Sequence, residues 1–194
     1  GFDFFVTSHT STCAIGIEPA MRRDGVLAMV TGSATKALSG KDDLILRNVP
    51  DLEFEQKRIA AYVSGLPGTA VLVIRDLDNG AYTEPAFWTF STSVVGKELR
   101  LLDVRMSALD LGAVRAAMLE RPFDILYVLV GGYQASAGAF AQLAASLYPE
   151  ARVVFTPWLK TPALAAAAGP ALERSTLPSH YPAKGTDPRV DAYI

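Results

Sequence analysis

Ser11 and Thr12 stand at the head of a helix-like stretch, and Ser33, Ala34 and Thr35 follow a strand-like run further along the chain. Hydroxyls and backbone N–H groups presented in this way can converge on one small anion, and a carboxylate suits such a cradle. Tyr82 and Tyr133 each come shortly after a strand-like run and offer a flat apolar face with a hydroxyl at its tip. Such groups close a site over a small organic ligand. Taken singly, each tyrosine reads equally well as boundary packing; their joint placement after strand ends favours binding. The chemistry of this set is recognition by hydroxyls, amides and aromatic faces.

Catalytic patterns are incomplete. Thr31-Gly32-Ser33-Ala34 follows a strand as a dinucleotide-binding turn would, but the further glycines that let backbone approach a pyrophosphate are missing. No Gly-x-Ser-x-Gly elbow occurs, and the nearness of His9 to Ser11 is adjacency along the chain, not triad geometry. His9 and His180 are far apart, with no cysteine or carboxylate at ligand spacing, so no metal site is expected. Cys13, the single cysteine, can form no internal disulfide and reads as a small packing residue; Asp42 and Asp43 read as a solvated loop. The chain is expected to be no enzyme and to need no cofactor.

The elements that must position these residues follow a repeated rhythm. Phe4-Phe5-Val6, Leu27-Ala28-Met29-Val30, Ala70-Val71-Leu72-Val73-Ile74, Leu126-Tyr127-Val128-Leu129-Val130 and Val153-Val154-Phe155 are short apolar runs, each ending in a small, polar or aromatic elbow. Runs with little alternation suit parallel strands covered by helices on both faces, and ligands collect outside the carboxyl ends of such strands. A further strand is read at residues 101–104. Helices are expected where apolar residues recur at helical spacing: 55–63, 83–93, one around Leu111, Val114 and Met118, and one around Phe140, Leu143, Ala144 and Leu147. Asp110 and Ser136 are the expected N-caps of the last two, with Pro122 and Pro149 as stop signals. Ile45 to Asp51 breaks the rhythm and reads as a crossover, which leaves two strands before it, too few for a sheet core.

Composition sets outer bounds. The chain has 194 residues, half of them hydrophobic, and a formal net charge of −2, enough for a full core and without a basic field. Nucleic acid is therefore not an expected partner. The longest apolar stretches, at residues 125–130 and 163–172, are too short to span a bilayer.

The order of these segments resembles the periplasmic substrate-binding proteins of branched-chain amino-acid type ABC transporters. The likeness is carried by Thr10-Ser11-Thr12, by Gly25 through Thr31-Gly32-Ser33-Ala34-Thr35-Lys36-Ala37-Leu38-Ser39, and by Leu46-Arg47-Asn48-Val49-Pro50 as a crossing between lobes. It continues in Asp124-Ile125-Leu126-Tyr127 through Gly131-Gly132-Tyr133, in Phe155-Thr156-Pro157-Trp158, and in the closing Asp187 to Ile194. The resemblance implies a two-lobed α/β fold of the type I periplasmic-binding kind, parallel sheets flanked by helices, with the first lobe incomplete. Residues 1–46 would be the partial first lobe, 47–54 the crossing, 55–177 the second lobe, and 178–194 a return crossing that begins the first lobe's continuation. The family's proteins begin with an additional strand–helix series and run on further, so the sequence resembles an internal part of one.

By the same resemblance, Ser11, Ser33, Ala34 and Thr35 would hold a carboxylate, with Thr12 beside them, and Tyr82 and Tyr133 would close the cleft. A shift in the loop before Tyr82 would promote Asn79. Where amino-acid binders of the family place a glutamate for the ligand's ammonium, this chain has Trp158. That departure points to a carboxylate without an amine, unless Asp76 or Asp78 supplies the missing charge. The implied role is extracytoplasmic capture of a small carboxylate, an amino acid or an aromatic or organic acid, for delivery to a membrane permease by hinge closure. A ligand-sensing regulatory domain of the same fold is the alternative, and a nucleotide-dependent enzyme ranks below both.

Overall fold

The computed structural model describes residues 3–8, 10–41 and 43–180. His9, Asp42 and the part of the expected return crossing past His180 lie outside the described residues. The apolar runs pair into two all-parallel sheets. The first contains β1 (Phe4–Thr7), β2 (Leu27–Val30) and β3 (Ile45–Arg47), in that order. Helix α1 (Ser11–Asp24) joins β1 to β2; the Thr10 side chain accepts the Cys13 N–H at 3.4 Å at its start, and Gly25, at φ 66°, ends it in the left-handed conformation.

The second sheet holds β4 (Ala70–Asp76), β5 (Glu98–Val104), β6 (Ile125–Leu129), β7 (Arg152–Phe155) and β8 (Ser175–Thr176), in the order β5-β4-β6-β7-β8. Helix α2 (Leu52–Gly65) precedes it, and α3 (Gly80–Ser93), α4 (Leu111–Glu120), α5 (Gln134–Leu147) and α6 (Pro162–Ala168) connect its strands. Alternate residues of one strand serve two cores. Val71 and Val73 of β4 pack with Ile59 and Val63 of α2 and Phe90 of α3, whereas Leu72 and Ile74 pack with Met118 of α4 and Phe140 of α5.

This arrangement places a switch point in the sheet. Strands β4 and β6 are hydrogen-bonded neighbours, yet the helices that follow them, α3 and α5, cover opposite faces. The two loops therefore splay apart at the carboxyl ends of β4 and β6 and leave a crevice, the usual ligand position in a doubly wound sheet.

Several local expectations are corrected. Ile45–Arg47 is a strand, not only a crossover, so the first sheet has three strands; the Arg47 guanidinium holds it by donating to the Thr35 carbonyl at 2.7 Å and to the Ser39 hydroxyl. Helix α3 starts at Gly80, which puts Tyr82 in its first turn. Tyr133, not Ser136, occupies the N-cap of α5, while Asp110 does cap α4 through the N–H groups of Gly112 and Ala113. Cys13 is exposed on α1, where it is no packing residue. The Asp43 carboxylate accepts the Ile45 N–H at 2.9 Å and so shapes the entry to β3.

The two sheets meet at the start of α2. The Leu52 N–H donates to the Ala34 carbonyl at 2.8 Å, and the Asp51 carboxylate caps the helix through the Glu53 N–H. Glu53 bridges Lys36 and Lys57, and those two ammonium groups hold its carboxyl down to about 2.

Candidate ligand-binding cleft

A cavity of about 100 Å³ opens at the switch point. The second sheet contributes Asn79 and Tyr82 from the loop and first turn after β4, Gly131 from the loop after β6, and Trp158 from the turn after β7. The first sheet contributes Ser8, Thr10 and Ser11 at the head of α1, and Gly32 and Ala34 after β2. Ser11, Ala34, Asn79, Tyr82 and Trp158 are thus brought together. Gly131 is there for space, since a Cβ on it would lie 2.9 Å from the Asn79 amide nitrogen and 3.6 Å from the Tyr82 ring.

The other expected residues lie around this cavity but do not line it. Ser33 is buried behind Ser11 and donates its hydroxyl proton to the Ser11 oxygen at 3.1 Å. The Thr35 hydroxyl accepts the Ala37 N–H at 3.3 Å and caps a short 3-10 turn, so its side chain serves the first sheet. Thr12 touches Asn79 at the cavity edge. Tyr133 is 46% exposed and left-handed, at φ 56°, on the rim of α5.

The aromatic wall is buried and tied down. Tyr82 meets Trp158 edge to face, with ring centroids 6.4 Å apart. The Tyr82 hydroxyl donates to the Glu55 carboxylate of α2. Burial first, and then the Glu55 charge, push that hydroxyl well above the ordinary tyrosine range, so it stays a proton donor. Asp76 and Asp78 do not line the cavity. Asp76 accepts the Asp78 N–H at 2.8 Å, and Asp78 accepts the Ser107 N–H at 2.7 Å and pairs with Arg105. Among the described residues, no group of three histidine, cysteine, aspartate or glutamate side chains is placed to hold a metal ion. No helix among them is long and apolar enough to cross a membrane.

The sequence matches no protein-family model and no curated protein sequence. The fold, in contrast, has clear counterparts among solved structures. A benzoate complex of an ABC-transporter solute-binding protein from R. palustris matches with a TM-score of 0.80 at 15% identity, over 99% of this chain and 53% of the other. A leucine-binding protein from Thermotoga maritima matches at 0.75 and 18% identity, over 86% and 48%. The branched-chain amino-acid binding protein of Streptococcus pneumoniae, solved with isoleucine, matches at 0.74 and 19% identity, over 86% and 47%. The fold is that of the type I periplasmic binding proteins.

The chain spans about half the length of these type I periplasmic binding proteins. Within this periplasmic-binding fold, some contributors to the cleft carried no sequence signal strong enough to single them out. Ser8 and Thr10 belong to the polar elbow after β1, so a wider reading of that elbow would have included them. Gly131 sits in a Gly-Gly pair whose role depends on Asn79, a residue of another loop. Glu55, buried, and His180, half-buried beside it, are 125 residues apart in sequence, and no spacing rule links them.

Proposed function

We propose that this chain forms the cleft of an extracytoplasmic solute-binding protein of an ABC transporter, and that it holds a small carboxylate without an amine. Support comes above all from the make-up of the cleft: hydroxyls, amides and aromatic rings line it, and no charged side chain among the described residues does. A carboxylate at the head of α1 gains from the helix dipole and from the hydroxyls of Thr10 and Ser11. Among the described residues no carboxylate lines the cavity to pair an ammonium group, and Asp76, Asp78 and Glu55 are each engaged by other groups. Burying an ammonium unpaired costs several kcal/mol. Tyr82 and Trp158 offer apolar faces that suit a ring.

In this reading Ser11 and Ala34 line one wall, with Ser33 behind Ser11 and Thr12 and Thr35 beside them. Asn79, Tyr82 and Trp158 line the other, with Tyr133 at its rim, and hinge motion between the two sheets closes them. The partner is a membrane permease, and the protein does no chemistry of its own. Solved relatives with benzoate and with isoleucine match the fold about equally well, so the ligand class is argued from the cleft and not from the fold.

Calorimetric titration of the full chain with benzoate, 4-hydroxybenzoate, leucine, isoleucine and NAD tests the proposal. Saturable binding of the aromatic acids without binding of leucine or isoleucine is the expected result. Binding of the amino acids alone would overturn the amine-free assignment. Binding of NAD with silence from every carboxylate would overturn the transport reading.

A further inference from the structure

Behind the cleft lies a chain of contacts that backs Tyr82 and Trp158, two of its lining residues. The Tyr82 hydroxyl donates to one oxygen of Glu55, and the Gln56 amide donates to the same oxygen at 2.8 Å. The second oxygen of Glu55 lies 3.0 Å from His180 Nε2, with the two side chains only 4% and 12% exposed. The His180 ring packs on Trp158, centroids 4.5 Å apart, and Trp158 in turn meets Tyr82. The loop of contacts closes through the rings, and the buried Trp158 indole N–H makes no hydrogen bond among the described residues. Glu55 sits in the first turn of α2, just after one crossing, and His180 ends the described part of the other.

We propose that Glu55 and His180 are positioning residues that hold the Tyr82 hydroxyl and the Trp158 ring in place, and that the charge of His180 makes this hold depend on pH. The effect on ligand affinity rests on the carboxylate reading of the cleft; the positioning itself does not. The physical basis is the asymmetry of buried charge. Glu55 is nearly inaccessible to water, so its carboxylate relies on the protein for partners, and among the described residues the His180 imidazole, when protonated, is the one cation within ion-pair distance of it. With that cation present, the carboxylate is a fixed acceptor for Tyr82. When His180 loses its charge, the carboxylate is undercompensated and both aromatic side chains gain freedom.

The other titratable and charged groups near the pair, among the described residues, are Tyr82 of α3, Tyr127 of β6, and Arg58 and Tyr62 of α2. Burial pushes the Tyr82 and Tyr127 hydroxyls well up, out of the physiological range. Arginine stays charged throughout. Glu55 and His180 also line a groove of about 630 Å³ that shares no lining residue with the cleft, which gives protons a separate route to His180.

The first test needs no ligand. Trp88 is 70% exposed and is replaced by Phe, which leaves Trp158 as the only indole. Fluorescence of the W88F protein is followed between about pH 5 and 8, where histidine changes charge. An imidazolium in ring contact quenches the indole, so emission should fall on the acid side. His180→Gln should remove the pH dependence, and Glu55→Gln, which takes away the carboxylate that meets the imidazole, should change the curve. Flat emission in the W88F parent, or an unchanged curve in His180→Gln, overturns the proposal; His180→Gln decides the matter if Glu55→Gln does not fold.

Benzoate titration at both ends of the same range is the second test. Affinity should be higher at the acid end, and His180→Gln should lose this pH dependence and bind roughly tenfold more weakly there, the scale of one charge-assisted hydrogen bond. Benzoate affinity that is independent of pH in the parent overturns the coupling. If the quench behaves as stated and benzoate does not bind at any pH, the carboxylate reading fails and the positioning of Trp158 stands.

Discussion

The side-chain oxygen of Asn79 lies 3.3 Å from the Thr12 hydroxyl and 3.4 Å from the Thr12 N–H. Asn79 is the N-cap of α3, but its side chain makes no capping bond to its own helix. It reaches instead across the cleft to the first turn of α1, so the two sheets are joined through a residue that also lines the cavity. Both distances are at the long end for hydrogen bonds, which makes the link weak enough to break when the cleft moves.

Replacing Asn79 separates stability from binding. Asn79→Ala should change the unfolding free energy by less than ~1 kcal/mol, since two long bonds to a partly exposed threonine contribute little. Asn79→Asp keeps the shape but sets a negative charge beside the proposed carboxylate, and benzoate affinity should fall by about tenfold or more. Urea unfolding and calorimetry measure the two quantities; an Asn79→Asp protein that binds benzoate as well as wild type would count against an anion in this cavity.

Tyr133 offers a second separation. Its φ of 56° is the left-handed region that glycine adopts without strain, and a bulky residue there costs on the order of 1–2 kcal/mol. Tyr133→Gly should therefore leave stability within ~1 kcal/mol of wild type, the relief of strain offsetting the greater freedom of the unfolded chain. If the ring closes over the ligand, benzoate affinity should fall in the same variant. Unchanged affinity would assign Tyr133 to the rim alone.

Gly138 makes the close contact between α5 and α6. A Cβ there would stand 2.6 Å from the Ala167 Cβ and 2.8 Å from the backbone at Ala167 and Ala168. Gly138→Ala would gain about 1 kcal/mol in helix propensity but force the helices apart, at a cost of roughly 1–3 kcal/mol. Net destabilisation is expected, seen as a lower urea midpoint with benzoate binding preserved, because α6 lies away from the cleft.

Asp76 gives a pH dependence whose sign follows from burial. Desolvation raises its carboxyl above the ordinary aspartate range, although N–H groups of Asp78, Asn79 and Met106 pull the other way. A carboxyl raised on folding contributes stability that is present at low pH and lost as pH rises through the folded-state value. Asp76→Asn keeps an acceptor for the Asp78 N–H and cannot ionise. Its stability relative to wild type should therefore improve between about pH 3 and pH 7; urea unfolding at both pH values checks the direction, and a relative loss would contradict it.

Much of the α/β architecture was legible in the chain because parallel strands between two helical layers leave a direct mark. Val71 to Ile74 and Ile125 to Leu129 are apolar at every position, as strands buried on both faces must be. The helices left equally clear marks, from Val114 and Met118 on α4 to Phe140 and Ala144 on α5. What escaped was short or locally ambiguous. Ile45–Arg47 and Ser175–Thr176 are too brief for periodicity to declare, and they are strands only because β2 and β7 offer them edges. The cap of α5 escaped because Tyr133 makes no side-chain capping bond.

By itself, then, the sequence determined the α/β class, the parallel pairing and the clustering of polar elbows at strand ends, since each depends on local composition and period. Tertiary structure alone decided which elbows face one another. The order β5-β4-β6 opens the crevice between the loops after β4 and β6, and the first turn of α1 is set against it by contacts such as Thr12 with Asn79, 67 residues apart. It also decided that Ser11 and Ala34 line the cavity while Ser33 backs it, and that Glu55 meets His180. Those relations arise from packing between distant segments, and a one-dimensional pattern carries no term for them.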